Sequence, residues 1–268
     1  MIRKDRIDQI LVERGLVASR EKGRALIMAG QVYVNKLLVD KPGTKVLLDD
    51  HIEIKGKISP YVSRGGIKLE KGLREFDIVL KDKIVIDIGA STGGFTQCAL
   101  LQGASRVYAV DVGYGQLDWS LRQDERVICL ERTNARYLTT EKIPEMVDVI
   151  TIDASFISLS KIFPTIKNFL KEDGIIIALI KPQFEAGREK VGKKGVVKEI
   201  GVHIDVLNRI IAEAWENGLK AVGLTYSPIK GPEGNIEFIL CLKNNKELED
   251  KINIDTIKEV TARAHESL

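Results

Sequence analysis

Four ionisable residues in this sequence stand where a reaction could be run. Asp153 closes the apolar run Val149-Ile150-Thr151-Ile152, and Lys181 closes Ile175-Ile176-Ile177-Ala178-Leu179-Ile180. Glu237 stands in the opening of the run 236–242, and Lys68 follows a Gly65-Gly66 pair. Two lysines, an aspartate and a glutamate at one edge of a sheet suit transfer of a methyl group from a sulfonium donor to a hydroxyl. That reaction is an in-line displacement on an already activated donor, so the protein must align the acceptor and manage its proton. A ribose 2′-hydroxyl is a very weak acid, and a lysine partly desolvated beside a second cation can serve as its base.

A donor needs a cradle, and the stretch Ile84-Val85-Ile86-Asp87-Ile88-Gly89-Ala90-Ser91-Thr92-Gly93-Gly94 has the make-up of one. A buried strand running into a glycine-rich turn and a helix start brings backbone close to a nucleotide-like ligand. Asp111 closes the next apolar run, about 20 residues past the glycines, the place where a carboxylate meets ribose hydroxyls. The glycines depart from G-x-G-x-x-G, with Ser91 at the second position. A nicotinamide cofactor stays open at this point, but S-adenosylmethionine fits better, because it carries no pyrophosphate to be cradled. Thr133-Asn134, just after the strand at 127–130, stands where an adenine ring would be read.

These residues need a scaffold, and the order of patterns supplies one. Apolar runs at 127–130, 147–152, 175–180 and 219–224 alternate with helical patterns, notably 162–170 and 204–215. Such alternation predicts an α/β fold with a mostly parallel sheet covered by helices on both faces. The run 236–242 follows 219–224 without an intervening helix, which predicts an antiparallel last strand. Its start then lies at the same edge as the ends of the parallel strands, so Glu237 joins Asp153 and Lys181 there. Residues 67–76 read as a helix ahead of the first strand, and residues 255–268 as a closing helix.

The first sixty residues follow another pattern. Ile7, Ile10, Leu11 and Leu16 have helical spacing ended by Gly15, and Ser19 reads as the N-cap of a second helix ended by Gly30. Alternation in 32–35 and 46–54 predicts short antiparallel strands. Residues 1–76 hold more Lys and Arg than Asp and Glu, although the whole chain of 268 residues carries a net charge of only +3. Local basicity is what a phosphate backbone would feel. Lys55-Gly56-Lys57-Ile58-Ser59-Pro60 reads as a linker, which divides the chain into a domain at 1–58, a linker at 59–64 and a domain at 65–268.

Composition narrows the classes. Hydrophobic residues make up 44% of the chain, enough for a packed core, and no apolar run reaches the roughly 18 residues of a membrane span. The charged start leads into no signal-like apolar segment, so a cytoplasmic protein is expected. Cys98, Cys129 and Cys241 are isolated within apolar runs and read as buried thiols. His51, His203 and His265 lack ligand spacing, so no metal is expected.

The residues also resemble known families. Arg6-Ile7-Asp8-Gln9-Ile10-Leu11, Gly15-Leu16, Ser19-Arg20, Gly30-Gln31-Val32-Tyr33-Val34-Asn35 and Lys41-Pro42-Gly43 resemble the S4-like RNA-binding domain. Lys68 in Ser63-Arg64-Gly65-Gly66-Ile67-Lys68-Leu69, Asp153 in Asp153-Ala154-Ser155-Phe156, Lys181 in Lys181-Pro182-Gln183-Phe184-Glu185 and Glu237 in Gly234-Asn235-Ile236-Glu237-Phe238 resemble the Lys-Asp-Lys-Glu tetrad of FtsJ-like 2′-O-methyltransferases. Together they match the TlyA (haemolysin A-type) rRNA methyltransferases over nearly the whole chain.

That resemblance implies a Rossmann-like, class I S-adenosylmethionine-dependent methyltransferase sheet with a small α+β RNA-binding domain, acting on cytidine ribose in ribosomal RNA. It makes Lys181 the base, has Asp153 and Lys68 orient it and the substrate, and has Glu237 hold a lysine. Asp87, Gly89, Ala90, Ser91, Gly93, Gly94, Phe95, Asp111, Val112, Thr133, Asn134 and Asp153 would line the cofactor site. Arg3, Lys4, Arg6, Arg20, Lys22, Arg24, Lys36 and Arg64 would meet RNA. Arg188, Lys190, Lys193 and Lys194, in the glycine-rich loop 187–195, would do the same as an RNA-clamping lid.

Ribosomal RNA or subunits are the expected partners, with no DNA and no membrane, and a monomer is the expected state. An N-methyltransferase is the nearest rival, but the Asp153-Ala154-Ser155-Phe156 stretch lacks the prolines of the base-amine enzymes. A non-catalytic RNA-binding or assembly factor would have no need of Lys181 and Asp153 together. A haemolysin finds no apolar span or strongly amphipathic basic helix here.

Overall fold

The computed structural model describes residues 4–17, 19–28, 30–55, 60–245 and 251–268, and elements are counted among these. The chain divides into two compact units, Met1–Ser63 and Arg64–Leu268. Arg3, Gly56, Lys57, Ile58 and Ser59 lie outside the described residues.

The first unit holds β1 (Lys4–Arg6), α1 (Ile7–Glu13), α2 (Arg20–Met28), β2 (Val32–Val34), β3 (Leu37–Val39), β4 (Lys45–Leu47) and β5 (Ile52–Ile54). Ile7, Ile10 and Leu11 of α1 and Leu26 and Ile27 of α2 meet Val32, Val34 and Val46 in one small core. Gly15 and Gly30, at φ +66° and +68°, end the two helices in the left-handed conformation that glycine adopts without a Cβ penalty. The Ser19 hydroxyl accepts from the Lys22 N–H at 3.2 Å, as an N-cap does. The run 46–54 is not one strand. It splits into β4 and β5 because the Asp50 carboxylate accepts the Leu47 N–H at 2.7 Å and folds the chain back on itself. β4 pairs with β1 instead, while β2 lies antiparallel between β3 and β5.

The second unit opens with α3 (Gly65–Glu75), so Gly65 and Gly66 form its first turn rather than a loop before it. There follow β6 (Ile84–Ile88), α4 (Gly94–Leu101), β7 (Arg106–Val110), α5 (Trp119–Arg122), β8 (Val127–Leu130), β9 (Val147–Ile152), α6 (Phe163–Ile166) and β10 (Leu170–Ile180). The unit ends with α7 (Pro182–Glu185), α8 (Ile200–Glu216), β11 (Lys220–Tyr226), β12 (Phe238–Lys243) and α9 (Ile254–Ser267). Seven strands make one sheet in the order β11-β12-β10-β9-β6-β7-β8. β10 through β8 run parallel, and β12 runs antiparallel to both β10 and β11. The fold is α/β with a mostly parallel sheet and an antiparallel last strand, as the sequence pattern predicts.

The helix expected over 162–170 is broken. Short 3₁₀ turns at Leu159–Lys161 and Lys167–Phe169 flank the four-residue α6, and Pro164 sits at its start. Proline has no N–H to donate and fits only the first turn, so α6 starts there and cannot extend backward through it. Of the cysteines, Cys98 and Cys241 are buried and Cys129 is half-buried.

Candidate active site

The register of the sheet brings three of the four chemically interesting residues to one edge. Ile152 pairs with Ala178, and Ile180 pairs with Phe238 across the antiparallel β10–β12 ladder. Asp153 and Lys181 therefore leave the ends of their strands where Glu237 enters the start of β12. Lys68 reaches the same edge from α3, which lies against β12: Gly72 leaves room there, its missing Cβ falling 3.1 Å from Ile239.

The four residues form two ion pairs. The Lys68 ammonium donates to Glu237 Oε2 at 2.6 Å, with side chains only 6% and 1% exposed. Lys181 Nζ lies 2.7 Å from Asp153 Oδ1, with side chains 11% and 20% exposed, and also donates to the Ser155 hydroxyl at 2.9 Å. One pair is sealed and the other opens to solvent, so a substrate can reach Lys181 more readily than Lys68. A missing Cβ leaves space for Glu237, since one added at Gly231 would lie 2.6 Å from its Oε1.

Ser155 was not singled out from the sequence, nor was its neighbour Phe156. Phe156 is 89% exposed, holds φ at +63° and packs on Phe184 with ring centroids 4.8 Å apart. The left-handed region is uncommon for a bulky side chain and marks a backbone held by its surroundings. Glu185 was missed as well: its carboxylate accepts the Leu159 N–H at 2.9 Å, and Arg209 of α8 donates to its carbonyl at 2.6 Å. It thus ties the segment after Lys181 to the segment after Asp153.

The glycine-rich turn lies over the same edge. Gly89 holds φ at +82°, and a Cβ there would sit 2.6 Å from the Asp153 carbonyl oxygen, so only glycine allows the turn to lie on Asp153. Ala90, Gly93, Gly94 and Phe95 are buried beneath or within the turn, while Ser91 is exposed. The Asp111 carboxylate accepts from the Ser91 N–H at 2.8 Å and the Gly113 N–H at 2.7 Å, which fixes it beside the turn. Val112 next to it is 69% exposed.

Asp87 is placed differently from these. It is fully buried and accepts from the Thr96 and Thr151 hydroxyls at 2.7 and 3.0 Å, joining α4 and β9 beneath the turn. Burial pushes its carboxyl up to about 7 against the pull of those two hydroxyls. Thr133 accepts from Lys142 at 2.8 Å, and Asn134 accepts from the Arg136 N–H at 3.0 Å, so both side chains shape the turn after β8.

The basic loop is anchored at its C-terminal side. Asn235, two residues before Glu237, is buried; it accepts the Val197 N–H at 2.9 Å and donates to the Gly195 carbonyl at 2.8 Å. Arg188 lines a depression of ≈ 310 Å³ with Gln183, Phe184, Gly187 and Val191. Lys190 pairs with Asp205 of α8 at 3.3 Å, and Lys193 and Lys194 are exposed. Arg64 donates to the Lys230 carbonyl at 3.2 Å.

In the first unit Lys4, Lys22, Arg24 and Lys36 are exposed, while Arg6 and Arg20 both bind Asp8. Among the described residues no group of three or more His, Cys, Asp and Glu could hold a metal. His203 and His265, unpaired by their spacing in sequence, meet at 2.9 Å where α8 packs on α9. Among the described residues no helix is long and apolar enough to cross a membrane.

Known proteins resemble this chain. The sequence profile of the FtsJ-like methyltransferase family matches residues 61–244, and that of the S4 domain matches residues 5–52. The candidate rRNA methyltransferase YqxC of Bacillus subtilis (strain 168) is 52% identical over 99% of this chain and 96% of its own. The 16S/23S rRNA (cytidine-2′-O)-methyltransferase TlyA of Mycobacterium tuberculosis (strain ATCC 25618 / H37Rv) is 42% identical over 94% of this chain and 97% of its own. A solved structure from Streptococcus thermophilus, named as a candidate hemolysin, is 44% identical, covers 100% of this chain and 98% of its own, and superposes with a TM-score of 0.80. With the tetrad residues at one sheet edge and relatives matching end to end, the chain belongs to the FtsJ-like methyltransferase family and carries an S4 domain at its N-terminal side.

Proposed function

We propose that this protein transfers a methyl group from S-adenosylmethionine to the 2′-hydroxyl of a cytidine in ribosomal RNA, with Lys181 as the base. The observation that carries this reading is the pair of ion pairs at the sheet edge, one sealed and one open. The substrate class is that named for the M. tuberculosis relative.

The residues present fit the cofactor. The Asp111 carboxylate engages one backbone N–H on each oxygen, and each oxygen keeps a lone pair for a ribose hydroxyl. The exposed face of Val112 lies beside it for an adenine ring. Gly89, Ala90, Ser91, Gly93, Gly94 and Phe95 shape the turn that approaches the ligand, Asp87 braces that turn from below, and Thr133 and Asn134 shape the turn beside Asp111, where the Thr133 N–H donates to the Asp111 carbonyl at 2.8 Å. When bound, S-adenosylmethionine supplies a sulfonium methyl as the electrophile.

The chain supplies alignment and proton handling. Lys181 Nζ, tethered by Asp153 and Ser155, faces the acceptor hydroxyl; having first given up its own proton at the open side of the pair, it takes the hydroxyl proton as the oxygen–methyl bond forms and the sulfur–methyl bond breaks to leave a neutral thioether, and Asp153 stabilises the ammonium that results. Lys68, neutralised by Glu237, orients the acceptor ribose without adding net charge to a closed site. The exposed ring of Phe156 offers a stacking face for the target base. Lys4, Arg6, Arg20, Lys22, Arg24 and Lys36 of the S4 unit, and Arg64, Arg188, Lys190, Lys193 and Lys194 of the second unit, contact RNA phosphates.

Incubation with isolated ribosomal subunits and methyl-labelled S-adenosylmethionine tests the reading. Label on a cytidine ribose, marked by a phosphodiester that resists alkaline cleavage, is the expected result. Label on a base amine, or none despite cofactor binding, would overturn it.

A further inference from the structure

An acidic residue lies between two arginines of the S4 unit. Asp8 is 0% exposed, and both of its oxygens are taken by arginines. Arg6 engages it bidentately, Nε on Oδ1 at 2.9 Å and Nη2 on Oδ2 at 3.0 Å, and Arg20 places Nε on Oδ2 at 3.0 Å. The arginines come from different elements, Arg6 from the end of β1 and Arg20 from the first turn of α2. Asp8 itself is fixed by its backbone, whose N–H donates to the Pro42 carbonyl at 3.3 Å.

The two guanidiniums are not used up by this contact. Each arginine has five N–H donors, and the side chains stay 41% and 50% exposed while the carboxylate between them is sealed. Two cations stand around one anion, and Asp5 adds a second carboxylate that accepts the Arg6 backbone N–H at 2.8 Å, so the cluster offers donors of fixed geometry rather than excess charge. Freezing an arginine on binding costs rotamer entropy, and that cost has been met here before any ligand arrives. The Arg6 hydrogen bond, with help from Arg20, holds the Asp8 carboxyl down at about 2, so the clamp stays charged at any working pH.

We propose that Asp8 is a positioning residue for RNA binding, locking Arg6 and Arg20 into a preformed clamp for a backbone phosphate. The inference rests on the reading of the S4 unit as RNA-binding and adds the role of an acidic residue to it. It makes a prediction opposite in sign to simple charge counting, which expects removal of a negative charge from a basic face to strengthen binding to a polyanion.

Affinity of the full chain for purified ribosomal RNA, measured at several salt concentrations, decides the matter. With the fold checked by circular dichroism, Asp8→Asn weakens binding by about fivefold to tenfold and lowers the salt slope by about one phosphate contact. Arg20→Lys keeps the charge but loses the fork, and weakens binding as much as Arg20→Ala does. Binding by Asp8→Asn as tight as wild type or tighter would overturn the proposal. If Asp8→Asn fails to fold, Arg20→Lys decides alone, and wild-type affinity in that variant would overturn it. Unchanged binding in both Arg6→Ala and Arg20→Ala would instead remove the RNA-binding reading of this face, and the clamp with it.

Discussion

Lys68 and Lys181 are the same residue type at the same sheet edge, yet their surroundings divide the labour. A cation 6% exposed and bound to one carboxylate leaves a substrate little of itself to meet, whereas one with two tethers and an open side can take part in the proton transfer. Removing a partner from the sealed pair leaves a buried charge unpaired, which costs about 3–5 kcal/mol. Glu237→Ala should therefore lower the unfolding free energy by that order in a urea titration. Replacing both members, Lys68→Met with Glu237→Leu, should recover most of the stability without restoring methyl transfer. Ser155, which shares Lys181 with Asp153, could not be found from sequence because a serine after a strand end is ordinary in any loop. Asp8 did carry a signal, an acidic residue beside the apolar positions Ile7, Ile10 and Leu11 of α1.

At the scale of elements, the glycine turn and the basic loop are held by particular atoms. Gly89→Ala would push a methyl against the Asp153 carbonyl from a left-handed backbone, so it should cost about 1–3 kcal/mol and displace Asp153. Thermal unfolding and methyl-transfer assays should both report the change, with activity falling by more than stability alone explains. Asn235→Ala leaves the Val197 N–H and the Gly195 carbonyl without their side-chain partner. Limited tryptic cleavage at Arg188, Lys190, Lys193 or Lys194 should then quicken several-fold against wild type.

The alternation of strands and helices was legible because period and order are local, and so were Asp153, Lys181 and Glu237 as residues at strand ends. Which lysine pairs with which carboxylate was not, because Lys68 reaches Glu237 only once α3 has packed on β12. The break in 159–169 was also hidden: apolar spacing continues through Pro164, while the backbone does not.

Across the whole molecule, buried titratable groups in the second unit set opposing pH dependences. Asp87 has its pKa raised to about 7, so the folded state binds a proton that the unfolded chain has lost above about pH 4. Its stabilising contribution is complete below that pH and is lost as pH rises to about 7. His203 has its pKa lowered to about 4 by burial, with a contribution from His265, so the unfolded chain takes up the proton first. Its contribution is present above about pH 6.5 and is lost as pH falls toward 4. The two slopes oppose each other between about pH 4 and 6.5, and Asp87→Asn removes one of them. In that variant stability should rise more steeply with pH over this window than in wild type, as followed by urea midpoints. An unchanged profile would place the Asp87 proton elsewhere.

The chain carries an S4 unit and an FtsJ-like unit, and the proposed reaction depends on Lys181 handling the proton. The most direct measurement is single-turnover methyl transfer to ribosomal subunits by Lys181→Ala, with cofactor affinity measured alongside. With Lys181 as the base, the rate falls by about 10²–10⁴-fold with an unchanged cofactor Kd. A rate within about tenfold of wild type would contradict it, because loss of a general base costs more than that.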